Sequence, residues 1–296
     1  QIINPLGAGY YQNYARNELN ISVWNAGHKG SMEKGRHFIQ WGNSIEQTKI
    51  NDVLNQFDYQ DSAGYSLPYS PGPLQLFNAQ NSKADLTIMK YTGYLQDNIH
   101  FLKSKNDITI QAGLRYHYND LNKQFLISPR VQASWKPSWK RNMVFKAAAG
   151  IYNQPPFYRE FRKYDGSLNT AIKAQQSIQF VAGMDYNFKG PGNRPFRITS
   201  EAYFKSMRDV VPYDIDNVKI KYLGSNNAKA YATGLELRLF GELVQDAESW
   251  LSIGFMRTRE NLNDDHYYQY KNAAGEIIGA QTNDQVVTDS IKNDIG

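Results

Sequence analysis

Apolar and polar residues alternate at period two through most of the chain, which is the signature of half-covered β-strands rather than helices. The pattern is clearest between Ser128 and Phe161. There Val131, Ala133 and Trp135 fall on one face and Arg130, Gln132 and Ser134 on the other. After Pro137 to Asn142 the pattern returns, with Phe145, Ala147, Ala149 and Ile151 set against Val144, Lys146, Ala148 and Gly150. Two such limbs joined by a short polar connection predict an antiparallel hairpin. Pro155 and Pro156 end the second limb, because neither can donate a hydrogen bond to a ladder. The chain is expected to leave the sheet there, in an aromatic loop.

The same periodicity predicts strands over residues 18–24, 36–43, 86–101, 108–118, 178–188, 198–205, 235–239 and 251–256. Residues 25–35 read as a connection, 62–73 as a long Pro- and Gly-rich loop, and 209–229 as irregular. Residues 45–59 fit a helical period about as well as a strand. The connections alternate in length: those at 102–106, 137–142, 189–195 and 241–248 are short, and those at 59–85, 153–174, 209–229 and from 261 onward are long. The short connection at 119–125 breaks the series. Transmembrane β-barrels show this asymmetry, with about 10 residues per crossing. Tyr116, Tyr118, Tyr152 and Tyr186, near strand ends, suit an interfacial aromatic girdle. A soluble sandwich also alternates, but its strands average about five or six residues, shorter than those read here.

Composition narrows the choice. The chain has 21 Tyr, 14 Phe and 5 Trp, yet a mean hydropathy of -0.62, and no run approaches the ~18 apolar residues of a membrane helix. Cysteine is absent, which excludes thiolate zinc sites and cysteine nucleophiles. The net charge of +5 is spread without a basic stripe, so nucleic acid is not an expected partner. His28, His37, His100, His117 and His266 lack ligand spacing, and Asp264-Asp265-His266 reads as solvated charge, so neither a metal nor a cofactor is expected. No Gly-x-Ser-x-Gly elbow occurs, and the chain is not expected to be an enzyme. The first residues have no charged segment followed by an apolar one, and the last have no strand pattern. Both ends read as cut.

Several short motifs occur in strand-spaced order: Tyr94-Leu95-Gln96-Asp97, Gly113-Leu114-Arg115-Tyr116, Ser128-Pro129-Arg130, Gly150 to Pro156, Ala202-Tyr203-Phe204 and Asn226 to Leu237. Together they resemble the barrel of TonB-dependent outer-membrane receptors. Gln60 to Tyr65 is similar to receptors of the Bacteroidetes type. The resemblance implies a bacterial outer-membrane protein with a 22-stranded barrel, a plug filling it, and energy delivered by the TonB complex. It implies uptake of a scarce nutrient, such as a siderophore, vitamin, glycan or peptide. A surface lipoprotein is a further implied partner, and outer-membrane lipid surrounds the whole.

The expected fold is therefore all-β: an antiparallel up-and-down transmembrane barrel of which residues 1–296 supply about ten strands, without plug, TonB-contacting segment or closing strand. A passive porin-like or structural barrel, a barrel enzyme and a soluble carbohydrate-binding sandwich stay open as alternatives. Ligand capture would fall to loop aromatics and cations at the outer mouth, which favour stacking and charge-assisted contacts. The candidates are Tyr65, Tyr69, Phe157, Tyr158, Arg159, Phe161, Arg162, Tyr213, Tyr267 and Tyr268, with Lys163 and Tyr270 beside them.

Overall fold

The computed structural model describes residues 11–60, 75–103, 105–216, 219–244, 246–263, 266–271, 277–282 and 290–292. Its main body is one antiparallel sheet. In chain order the strands are β1 (Tyr11–Ala15), β2 (Glu18–Lys34), β3 (His37–Gln60), β4 (Gln75–Lys103), β5 (Asn106–Asn119), β6 (Gln124–Lys136), β7 (Asn142–Gln154), β8 (Gln175–Lys189) and β9 (Pro195–Val210). A small hairpin follows, β10 (Tyr213–Asp216) with β11 (Lys219–Tyr222), before the sheet resumes with β12 (Ala228–Val244) and β13 (Ala247–Leu262). β14 (His266–Lys271), β15 (Ile277–Thr282) and β16 (Ser290–Lys292) make a separate three-stranded sheet.

From β2 onward each strand of the main sheet pairs with its neighbours in sequence, β9 passing directly to β12, while β1 pairs with β3. β1 and β2 lie end to end along the edge of β3 that β4 leaves open, so the sheet is ten strands wide. Several sequence expectations change, among them the connection over 59–85, of which residues 75–85 belong to β4. Residues 25–34 are strand, because Gly30 admits the ring of its partner Trp41, which a Cβ would meet at 2.5 Å. The turn shrinks to Gly35 and Arg36, with Gly35 at φ +61. Residues 45–59 are strand, paired with β4 throughout, and the irregular stretch contains β10 and β11. The loop expected over 62–73 lies outside the described residues.

The alternation read from the sequence becomes two continuous faces. Ala133, Ala147, Ala182 and Ala202 are successive cross-strand partners, and Val131, Ala149, Phe180 and Phe204 form the adjacent row. Leu95 with Leu114, and Leu235 with Phe255, continue this apolar face at either side. All of these large side chains are exposed. On the opposite face the sheet curls around a cavity of about 1020 Å³, lined by Ser44, Thr92, Gln96, Arg115, Arg130 and Gln132, among others. Hydrogen bonds tie this inward face together, for example Gln96 Nε2 to Gln40 Oε1 and Gln132 Nε2 to Gln111 Oε1, both 2.6 Å. Lys146 and Arg197 both reach Asp185 Oδ2, at 2.6 and 2.8 Å.

Aromatic rings band the outward face at two levels. Toward the tight turns Trp135, Trp139 and Phe145 meet at 5.7–5.8 Å, and Tyr186, Phe188 and Phe196 stack in series. Toward the long connections Tyr91 packs on Tyr118, and Tyr116 on Phe125. Tyr116 crosses Gly93 to donate to Asn43 Oδ1 at 2.9 Å, a path that a Cβ on Gly93 would block. Phe125 and Trp135 are on one strand, and at ~3.3 Å per residue with a ~40° tilt they are separated in height by roughly 25 Å, the span of a membrane apolar band. Tyr152 is not part of either level. It faces inward, with the Arg130 guanidinium 4.4 Å from its ring centroid.

Candidate ligand-capture surface

The described residues place their closest-packed core at the loop end of the inward face. Pro155 and Pro156 release the chain from β7, and a short 3-10 turn follows at Tyr158–Phe161. Phe161 is 1% exposed and packs with Ile172 and Val211, with Leu121, Leu168 and Tyr222 around them. The Glu160 carboxylate turns back on its own loop: Phe157 N–H donates to Oε2 at 3.1 Å and Gln175 Nε2 donates to Oε1 at 2.7 Å. Burial dominates those two hydrogen bonds and holds the Glu160 carboxyl above the ordinary carboxylate range.

Polar contacts then carry the loop across the mouth of the cavity to strands distant in sequence. Tyr158 Oη donates to Asp52 Oδ2 at 2.6 Å, and the Arg162 guanidinium pairs with the same Asp52 oxygen. Arg162 also donates to Tyr158 Oη and to the Gly166 carbonyl, each at 2.9 Å. Burial, reinforced by the hydrogen bond to Asp52, pushes the Tyr158 phenol up to about 12. Nearby, Gln80 Nε2 donates to the Tyr164 carbonyl at 2.6 Å. Residues 155–174 thus bridge from β7 and β8 to β3 and β4.

What remains open on top is an aromatic shelf. Phe157 meets Tyr222 edge to face at 5.3 Å, and Tyr222 meets Tyr213 at 6.0 Å. The β10–β11 hairpin pairs Tyr213 with Tyr222 and Ile215 with Ile220, putting all four on one face, and Asp214 opposes Lys221 on the other. Phe157, Arg159, Tyr213, Ile215 and Ile220 are exposed. Burial raises the Tyr222 phenol, with the Glu160 carboxylate adding to it and Arg159 opposing. Such a shelf offers flat apolar faces beside a guanidinium, suited to stacking and charge-assisted contact.

Of the sequence candidates, the structure brings Phe157, Arg159 and Tyr213 together. Tyr158 and Arg162 are engaged in the Asp52 network, and Phe161 is buried as the anchor of the loop. Tyr267 and Tyr268, with Tyr270, fall on β14 of the separate sheet, while Tyr65 and Tyr69 lie outside the described residues. Tyr222 and Asp52 were not candidates. Tyr222 had a local signal, the apolar alternation of Lys219–Tyr222, but Asp52 had none. Among the described residues no group of three His, Asp or Glu could hold a metal ion. No helix there is long and apolar enough to cross a membrane, a test that does not bear on strands.

A sheet with an apolar outward face between aromatic bands, a polar inward face, tight turns at one end and built loops at the other defines the wall of an outer-membrane β-barrel. The TonB dependent receptor-like β-barrel family matches residues 3–289, and the chain belongs to that family. No curated protein matches the sequence significantly. Among solved structures it is similar to the outer membrane transporter YddB from Escherichia coli, with 14% identity and a TM-score of 0.54 over 88% of this chain and 38% of that one. The copper transporter OprC gives 13% identity and a TM-score of 0.54 over 82% and 39%. The siderophore receptor PirA from Pseudomonas aeruginosa gives 14% and 0.51 over 83% and 50%. The chain therefore spans between 38% and 50% of the length of these structures. At such identities the likeness speaks for the fold. The protein is an outer-membrane β-barrel protein of a family of transporters and receptors.

Proposed function

We propose that this chain is part of the barrel of a TonB-dependent uptake receptor, whose loops capture a scarce nutrient from outside the cell. The observation that carries this reading is the bridge of residues 155–174 across the cavity mouth, with the Phe157–Tyr222–Tyr213 shelf on its open side. A passive pore has no need of a fastened bridge over its entrance, whereas a receptor must hold its capture residues in fixed relation to the path below. The polar inward face, rich in amides and paired charges, suits a plug domain that TonB remodels to release the ligand. Further strands would pair the open edges of β2 and β13, since lipid does not tolerate unsatisfied strand edges. A surface lipoprotein at the mouth belongs to the same proposal.

Uptake by the full-length receptor tests it. In cells that depend on this receptor for the nutrient, loss of TonB is expected to abolish uptake. Phe157→Ala with Tyr222→Ala is expected to weaken binding at least tenfold, since each lost stacking contact is worth ~0.5–1.5 kcal/mol beyond its burial. Uptake that persists without TonB would assign the protein to passive pores instead.

A further inference from the structure

Several cations of the sheet are paired and others are not. On the inward face Lys90, Lys146, Arg197 and Arg238 each hold a carboxylate at 2.6–2.8 Å. At the loop end of the outward face, Arg208 on β9, Lys229 on β12, and Arg257 and Arg259 on β13 are exposed. Among the described residues no carboxylate pairs with any of these four. The register gathers them on adjacent strands. Tyr231 lies between Arg259 and Ser206, its partners on either side, and Thr233 opposes Arg257. Lys229 and Arg208 share the same outward alternation, two residues beyond Tyr231 and Ser206 respectively.

Toward the tight turns these strands become apolar at Phe204, Leu235 and Phe255. A shallow groove of about 660 Å³ starts there. It reaches Thr233, the cross-strand partner of Arg257, and runs over Ala202, Ala182 and Ala147, with Phe180 and Phe204 side by side along one edge. Lone cations at a membrane boundary are ordinary, because long side chains snorkel to water. Four cations that pair with no carboxylate among the described residues, beside a tyrosine and at the head of an apolar trough, make a combined surface. The guanidinium fork matches phosphate oxygens two at a time, and the row of alanines leaves a trough beside Phe180 and Phe204.

We infer that β9, β12 and β13 bind a phosphate-bearing lipid of the outer leaflet, its headgroup on Arg208, Lys229, Arg257 and Arg259 and an acyl chain in the alanine groove. The site is on the outward face, away from the capture shelf. It depends on the membrane orientation of the sheet and not on which nutrient the loops take. Native mass spectrometry of the full-length receptor in mild detergent tests it, titrating with bisphosphorylated lipid A, with dephosphorylated lipid A, and with inorganic phosphate.

One bisphosphorylated lipid A per receptor is expected to be retained. Each cation near an anionic lipid changes binding by roughly fivefold, so Arg257→Gln with Arg259→Gln is expected to weaken retention about 30-fold. Ala182→Trp, which fills the groove, is expected to weaken lipid A while leaving inorganic phosphate unchanged. Equal retention of dephosphorylated lipid A would overturn the site. So would a double variant that binds as tightly as the parent. Phosphate binding at the cations with no effect of Ala182→Trp would reduce it to an anion site and sink the lipid assignment. Heat-modifiable migration reports folding of each variant, and if the double variant fails that check, Arg208→Gln alone must still lose roughly fivefold.

Discussion

Replacing Ala147 by arginine probes the assignment of faces most directly. Ala147 is the sixth residue of β7, and its cross-strand partners Ala133 and Ala182 share its apolar row. Counted from Phe145 in the lower aromatic band, two residues at ~3.3 Å and a ~40° tilt put Ala147 roughly 5 Å inside the ~25 Å apolar band. Arginine in a lipid-facing barrel position costs ~0–1 kcal/mol at the interface and ~2–4 kcal/mol at the midplane, so about 1–2 kcal/mol is expected here. That corresponds to a loss of about 5- to 30-fold in the assembly equilibrium. Ala147→Leu adds only apolar surface and should assemble like the parent. Lys146→Arg, one residue away, keeps a cation opposite Asp185 on the inward face and should be mild. The assay is the fraction of full-length receptor in the membrane that migrates as heat-modifiable barrel. If Ala147→Arg assembles as well as Ala147→Leu, the outward face does not meet lipid and the assignment of the sheet is wrong.

Two further predictions concern the bridge. Arg162 and Asp52 are 16% and 10% exposed at their side chains, and removing one partner of such a pair costs about 3 kcal/mol, because the other charge is left without its counterion. Arg162→Met should therefore release residues 155–174 to protease while the barrel still assembles, and adding Asp52→Asn should restore part of the protection; unchanged cleavage would mean the pair is not a fastener. Glu160 gives the bridge a pH dependence. Its carboxyl is held above the ordinary value of 4.5, so its contribution is full below that pH and is lost as pH rises through the raised value. Hydrogen exchange in 155–174, corrected for intrinsic rates, should show firmer protection at pH 5 than at pH 8, with the difference abolished in Glu160→Gln; protection that increases with pH would refute the sign.

Sequence periodicity reports the environment imposed on a strand, and this explains where it succeeded. Between the aromatic bands lipid lies on one side and the polar cavity on the other, so β5 to β9 alternate cleanly through their middles, while the ends of β6 and β9 carry a weaker pattern. Beyond the bands water can reach both sides. The run from Gln75 to Asp85 in β4, with Asn78, Gln80, Asn81 and Ser82, carries no apolar face and gave no strand signal. Glycines blurred β2 for another reason: Gly27 and Gly30 leave positions empty that Ser44 and Trp41 fill from the next strand. The candidate surface was only half legible. That 155–174 would be an aromatic loop followed from Pro155 and Pro156, but which aromatics would be buried depended on partners such as Ile172 and Val211. Phe161 and Phe157 look alike in sequence, and only packing makes one an anchor and the other an open face.

The bridge also carries information about how the sheet forms. Nearly all of the pairing is between sequence neighbours, so hairpins can be added one after another with little long-range search. The contact of Tyr158 with Asp52 is different, since it spans 106 residues. Between the strand that carries Asp52 and the loop that carries Tyr158 lie β4, β5, β6 and β7, and the two side chains can meet only after those strands have curled to their final curvature. A distant change that flattened the sheet would therefore unlatch the loop without touching it. The latch closes last, and its state gauges whether the wall beneath it has been bent correctly.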